Sequence, residues 1–172
     1  MIDVAAVAEV LCRDCLPSST RDALLAPFQH TDEPIRSLIV CVALHDLGKA
    51  TPTFQQMVPW MVPHLEHAGF TFNATTGAHH SITGEAALRK VVEDRGASNG
   101  WTLLLRAACA HHGEFPFAHH VSKARKFLKS PRMGGQWNES RTSILAQLET
   151  LFHARIEGDN TATQRDAMLF AG

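Results

Sequence analysis

Leu38-Ile39-Val40-Cys41-Val42-Ala43-Leu44-His45-Asp46-Leu47-Gly48-Lys49 is an apolar helical run that closes on two ionisable side chains. An imidazole and a carboxylate at the end of a buried helix are costly unless something compensates them. A divalent metal is the compensation that fits best, because this ligand pair suits zinc, manganese, iron, cobalt or nickel. The pair does not stand alone. Histidine doublets recur at His79-His80, His111-His112 and His119-His120, and the chain holds 11 histidines in 172 residues, most of them clustered.

Outward from this run the spacing is helical almost throughout. Asp32 before Pro34 marks the start of its helix, with proline in the first turn, and Gly48 is expected to stop it. Met1 to Leu16 reads as a helix, and Thr51-Pro52 opens a short one carrying Phe54, Met57 and Val58. Pro59 and Pro63 break the chain around Trp60, and Gly69 to Gly77 reads as a loop or short extended piece. Further helices are expected from His80 to Asp94, ending at Gly96, and from Ser98 or Asn99 to His111-His112, with Gly113 as stop. Glu114 to Ala118 is a loop containing Pro116. A helix is expected from His120 to about Leu128, then a flexible connector from Ser130 to Gln136. Asn138 caps a long helix through Ile144, Leu148 and Leu151, and a last helix starts near Thr161. No alternating strand of convincing length occurs, so the fold class is all-α.

At 45% hydrophobic and 19% charged residues, with a net charge of −1, the chain has the composition of one ordinary globular domain. That balance does not announce a nucleic-acid binder, although a local patch can act as one. The longest apolar runs fall far short of the ~18 residues of a membrane span, and no secretory signal opens the chain. Cys41 and Cys109 sit in apolar runs and read as buried thiols, which favours a cytoplasmic location. Both ends look cut: Ile2-Asp3-Val4 resembles the middle of an amphipathic helix, and the chain stops on Met168-Leu169-Phe170-Ala171-Gly172.

The histidine doublets fall where helices start or stop, and helix ends can converge on one point as metal ligands must. A carboxylate such as Asp46 can bridge two metals while imidazoles fill outer positions. Paired metals about 3.5–4 Å apart activate water and polarise a phosphoryl oxygen in many phosphodiester hydrolases. Lys49, one turn beyond Asp46, can neutralise a bound phosphate. Other clusters read more plainly. His79 is taken as a supporting or surface residue, His119-His120 as a solvated loop, and His64 and His67 as a solvated helix face. Cys12-x-x-Cys15 has no second pair at zinc spacing and reads as two helix thiols. Lys123, Arg125, Lys126, Lys129, Arg132 and Arg141 face only Glu139 between positions 121 and 141. They form either a solvated face or a phosphate track for single-stranded DNA. Phe115, Phe117, Phe127 and Trp137 are interleaved and can stack bases or fill core.

His-Asp on a helix with separated histidines after it resembles the HD superfamily of metal-dependent phosphohydrolases. The narrower match is His45-Asp46-Leu47-Gly48-Lys49-Ala50-Thr51-Pro52-Thr53-Phe54-Gln55, which resembles the HD nuclease domain of the CRISPR-associated nuclease-helicase. Asp3-Val4-Ala5-Ala6-Val7-Ala8-Glu9, His80-Ser81-Ile82-Thr83-Gly84 and Ala110-His111-His112-Gly113 agree with it. The resemblance covers nearly the whole chain and implies a helical HD bundle with its metal site at helix ends. It implies that Asp46, His80, His111 and His112 hold one metal. The other would use His45, the bridging Asp46, a histidine lying before Met1 and an aspartate following Gly172. The expectation is therefore a single HD domain over 1–172, short at both ends relative to the family. It would carry one complete site, where the intact family site holds two ions.

The function implied is a metal-dependent nuclease cutting single-stranded DNA in antiviral defence. Asp46 and Lys49 would be catalytic, and Mn, Ni, Co, Fe or Zn would be the ion. Lys123, Arg125, Lys126 and Lys129 are the candidate DNA contacts. The implied partners are a helicase domain or subunit and the RNA-guided surveillance complex, in a prokaryotic cytoplasm and with no membrane. Two other readings stay open: an HD phosphohydrolase of nucleotides or cyclic nucleotides, and a metal-binding module without turnover.

Overall fold

The computed structural model describes residues 1–72, 77–130 and 135–171. Asn73, Thr75 and Thr76 of the expected loop, Pro131, Arg132 and Gly134 of the expected connector, and Gly172 lie outside the described residues. Among the described residues every regular element is helical. No described helix is long and apolar enough to cross a membrane.

α1 (Ile2–Val10) runs into a π-helical turn, Leu11–Cys15. α2 (Ser18–Leu25) went unmarked by apolar spacing because its sequence is mostly polar and only Leu25 is buried. α3 (Pro34–Ala43) starts on its proline as expected and buries Leu38, Ile39, Val40 and Cys41. It ends sooner than expected, for Leu44–Lys49 tighten into a 3-10 helix. Gly48 is not the stop that its position suggested, since its φ is not positive. It is needed for closeness: a Cβ there would lie 1.8 Å from the His80 carbonyl oxygen and 2.6 Å from the Gly84 nitrogen. The 3-10 helix thus lies backbone to backbone against α6 (His80–Arg95), which does end at Gly96 in the left-handed region.

α4 (Pro52–Gln55) and α5 (Val62–His67) are short, and α5 buries no residue, in keeping with a solvated His64 and His67. α7 (Asn99–Cys109) stops before His111, so His111-His112 sit in the turn beyond it. α8 (Ala118–Leu128) begins two residues before His120, which makes His119-His120 its exposed first turn and not a loop. α9 (Gln136–Phe152) starts ahead of Asn138, whose side chain donates to the Leu128 carbonyl at 3.3 Å in place of capping the helix. α10 (Gln164–Ala171) starts after Thr163, because Thr163 and Asp166 exchange backbone-to-side-chain bonds at 2.8 and 3.3 Å.

The main core joins α1, α3, α6, α7 and α9 around Phe28, Ile39, Leu44, Leu47, Leu88, Leu104 and Trp101. Trp101 meets Phe28 edge-on at 5.9 Å and donates its indole N–H to the Glu157 carbonyl. Cys41 and Cys109 are fully buried, and burial pushes both thiols up, as inert core thiols require. A smaller cluster, Ala86, Val121, Ala124 and Leu128, packs α8 on the other face of α6. α6 is therefore clamped between the turn that carries His45-Asp46 and the basic helix.

Arg141 ties α9 to the end of the 3-10 helix. It is buried, donates to the Ala50 carbonyl at 2.6 Å and to the Asn138 side chain, and burial holds its pKa down to about 10. It is no part of a phosphate track. Arg141→Met should cost about 2 kcal/mol, since it breaks the charge-assisted, part-buried bonds to the Ala50 carbonyl and the Asn138 side chain. Urea denaturation followed by circular dichroism reads this, and an unchanged midpoint would contradict the assignment.

Candidate metal centre

Three backbone segments deliver the histidines and the aspartate. The 3-10 helix carries His45, Asp46 and Lys49, the start of α6 carries His79 and His80, and the turn after α7 carries His111 and His112. In a 3-10 helix residues i and i+3 eclipse. Lys49 therefore stands directly over Asp46 and donates to its Oδ2 at 2.6 Å. The His45 Nε2 lies 3.0 Å from the same oxygen. Oδ1 faces the other way, 3.4 Å from His80 Nε2 and 3.6 Å from His111 Nε2. His80 Nε2 is also 2.9 Å from His112 Nε2 and 3.4 Å from His111 Nε2.

Neighbouring acceptors orient the rings. His45 Nδ1 donates to the Val42 carbonyl at 2.7 Å, and His111 Nδ1 to the Ala108 carbonyl at 3.1 Å. A carbonyl only accepts, so the proton sits on Nδ1 and the lone pair on Nε2 points into the cluster. His79 Nδ1 lies 2.8 Å from the Ser81 hydroxyl, at the cap of α6. Burial pulls the His80 ring down to about 4, and it also lowers His79 and His111. Burial would raise Asp46, but the hydrogen bond and charge of Lys49 outweigh it and hold the carboxyl below its usual value.

A cation fits this arrangement. His80 is neutral at pH 7, so several Nε2 lone pairs and a carboxylate crowd one small volume. The Asp46 Oδ1 is buried without a hydrogen-bond partner. An acceptor-rich cluster with an orphaned carboxylate oxygen lacks positive charge, and imidazole with carboxylate is the donor chemistry of a first-row divalent ion. Among the described residues two sets of three donors occur, each with its ligand atoms within 4.8 Å of one another: His45, Asp46 and His111, and His79, His80 and His112.

The five expected ligand residues are thus brought together with Lys49. His79, which sequence reasoning set outside the ligand set, stands among them; its only signal was adjacency to His80. Phe54 was likewise missed as a neighbour: its ring meets His80 at 5.5 Å and lies 5.4 Å under the Lys49 ammonium. Away from the centre the basic residues separate. Lys123 and Lys126 are exposed on α8 and Lys129 just beyond its end, whereas Arg125 is engaged by Glu93 of α6. The aromatics separate too. Trp137 is buried against Phe70 and Phe72, Phe115 stacks with Arg106, and Phe117 stays 64% exposed.

The sequence pattern of the family described as the HD domain of Cas3 matches residues 1–172. A curated relative, the CRISPR-associated endonuclease/helicase Cas3 of Thermus thermophilus, is 30% identical over 151 residues. The match covers 86% of this chain and 16% of that protein's length. A solved structure described as a crystal structure of a CRISPR-associated protein superposes with a TM-score of 0.78 at 24% identity. It covers 99% of this chain and 20% of that one, a likeness of fold.

Proposed function

This chain belongs to the Cas3 HD-domain family, and on that premise we propose that it is a CRISPR-associated, divalent-metal-dependent nuclease domain that cuts single-stranded DNA. The observation that carries the reading is the Asp46 carboxylate, whose Oδ2 faces the His45 ring nitrogen and whose orphaned Oδ1 faces those of His80 and His111. Asp46 would be the shared ligand, with His80 and His111 on its Oδ1 side, His112 beside His80, and His45 on its Oδ2 side. Manganese, nickel, cobalt, iron and zinc all suit the donor set. A divalent ion held there supplies Lewis acidity toward a phosphoryl oxygen and makes its bound water more acidic.

The chain's own groups do the positioning. The Val42 and Ala108 carbonyls fix the ring faces of His45 and His111 before any substrate arrives. Lys49, supported by the face of Phe54, sets its ammonium at the Asp46 carboxylate, placed to hold a non-bridging phosphate oxygen as charge grows on it. The 172 residues act as one HD domain. A helicase, as in the Thermus relative's name, and the RNA-guided surveillance complex are its proposed partners.

The reading is tested by incubating the chain with circular single-stranded DNA and manganese, nickel or cobalt. Degradation that EDTA abolishes is expected. A chain that hydrolyses free nucleotides and ignores long strands is a nucleotide phosphohydrolase instead. One that binds metal stoichiometrically and hydrolyses nothing is a metal-binding module. Lys49→Ala should lower kcat by about 10²–10³ while the bound metal, measured by elemental analysis, stays at the wild-type ratio. Equal loss of metal and activity would make Lys49 a structural residue of the site.

A further inference from the structure

Beside the histidine cluster, the chain leading into α6 and the flank of α8 enclose a cavity of about 330 Å³. Ala78 and Ile82 form one wall, and His120, Lys123 and Phe127 line the other. Four features give it a character. First, Ala78 directly precedes His79 and His80, so this wall is the segment that carries two of the clustered imidazoles. Consecutive Cα atoms are about 3.8 Å apart, so the cavity wall at Ala78 and the backbone of His79 are one residue step apart. Second, its sides are apolar and partly aromatic. Phe127 and Ile82 are only partly buried, although they pack on the small cluster of α8. Third, α8 holds no carboxylate in Ala118–Leu128, and Lys123 and Lys126 are exposed on it. Glu93, the α6 carboxylate that reaches this helix, is neutralised by Arg125. Fourth, Phe117 is exposed at the start of α8, its ring 5.9 Å from His119 and 5.8 Å from His120. An apolar slot with a cationic rim complements a flat heteroaromatic ring on a phosphate chain, whereas an acidic peptide would leave the slot without a ring to fill it.

We propose that this cavity receives a nucleobase of the single strand, the base next to the phosphodiester held over the histidine–aspartate centre. The base lies against Phe127 and Ile82, Lys123 meets the adjoining phosphate, and Phe117 offers a shelf on which the following base stacks. This rests on the nuclease reading above and adds to it where the strand lies. Stacking of this kind tolerates any base, because every base has a π-face.

The experiment compares two substrates, a single-stranded oligonucleotide and bis(p-nitrophenyl) phosphate, with the manganese-loaded chain. Ala78→Phe fills the cavity from an exposed position, and Lys123→Ala removes the rim charge without touching the packing. Each should weaken oligonucleotide cleavage through KM, with Ala78→Phe costing about tenfold or more, while hydrolysis of the small diester is unchanged. An abasic site next to the scissile bond should cost the wild type a similar factor and Ala78→Phe nothing further. Oligonucleotide KM unchanged in both variants, or an abasic site without effect on the wild type, overturns the inference and leaves the nuclease standing. A wild-type chain that hydrolyses neither substrate overturns the nuclease reading and this inference with it. Should Ala78→Phe lose its metal or its melting transition, Lys123→Ala and the abasic wild-type comparison decide.

Discussion

Asp46→Asn should abolish the response of this protein to divalent metal while leaving its metal-free fold almost unchanged. The amide keeps the shape of the carboxylate and removes its charge. In the metal-free protein the short hydrogen bond to that charge comes from Lys49 on Oδ2, and among the described residues Oδ1 has no hydrogen-bond partner. A half-exposed lysine contributes little across such a pair, so EDTA-treated wild type and variant should melt within a few degrees of each other. With metal the two separate. A ligand at 100 times its dissociation constant stabilises the native state by about 2.7 kcal/mol, which in a chain of this size raises Tm by roughly 5–10 °C. The wild type should show that rise with manganese or nickel, and the variant should not. Cleavage of single-stranded DNA should fall below detection in the same variant. A scanning-calorimetry trace in which manganese lifts both proteins equally would remove Asp46 from the ligand set. It would move the metal wholly onto His79, His80 and His112, the other set of converging donors.

Gly48→Ala should be the most damaging single methyl in the molecule. The added carbon would lie 1.8 Å from the His80 carbonyl oxygen and 2.8 Å from its carbonyl carbon, both of them backbone. No rotamer relieves such a clash, so the 3-10 helix must move off α6. Overpacking a well-packed contact costs about 1–3 kcal/mol and at times more, and a backbone clash this short belongs at the upper end. The movement also draws Asp46 away from His80, two groups that approach only because Gly48 and Gly84 let their backbones touch. Loss of stability should therefore come with loss of metal binding. Gly113→Ala is the control: its φ is +87°, nothing lies within 4 Å of the new carbon, and a left-handed alanine costs about 1–2 kcal/mol. Urea midpoints and metal titrations on both variants separate the two causes. A Gly48→Ala protein no less stable than Gly113→Ala would mean that the two backbones are not in contact.

The residues of the centre were legible because their signals are local. An apolar run with helical spacing, closed by His45-Asp46, needs no knowledge of the rest of the chain. Likewise the doublets at 80, 111 and 112 lie where glycine, proline and capping residues break helices. The all-α class followed from the same periodicity. What failed was also local in cause. α2 is too polar to show a face, and Asn138 has the sequence of a cap but bonds to Leu128, ten residues back.

By itself the sequence determined which side chains can ligate a metal and that helices would present them at their ends, because periodicity and capping act within one or two turns. Tertiary structure alone decided which of them meet. The contacts that join His80 to His111 and His112 span 31 and 32 residues. The admission of His79, the pairing of Arg125 with Glu93 and the split between buried Trp137 and exposed Phe117 depend on packing between elements distant in sequence. Gly48 marks the boundary between the two kinds of information. Its identity is plain in the sequence, but its purpose is set by how closely another helix's backbone approaches it, a distance that only packing in three dimensions fixes.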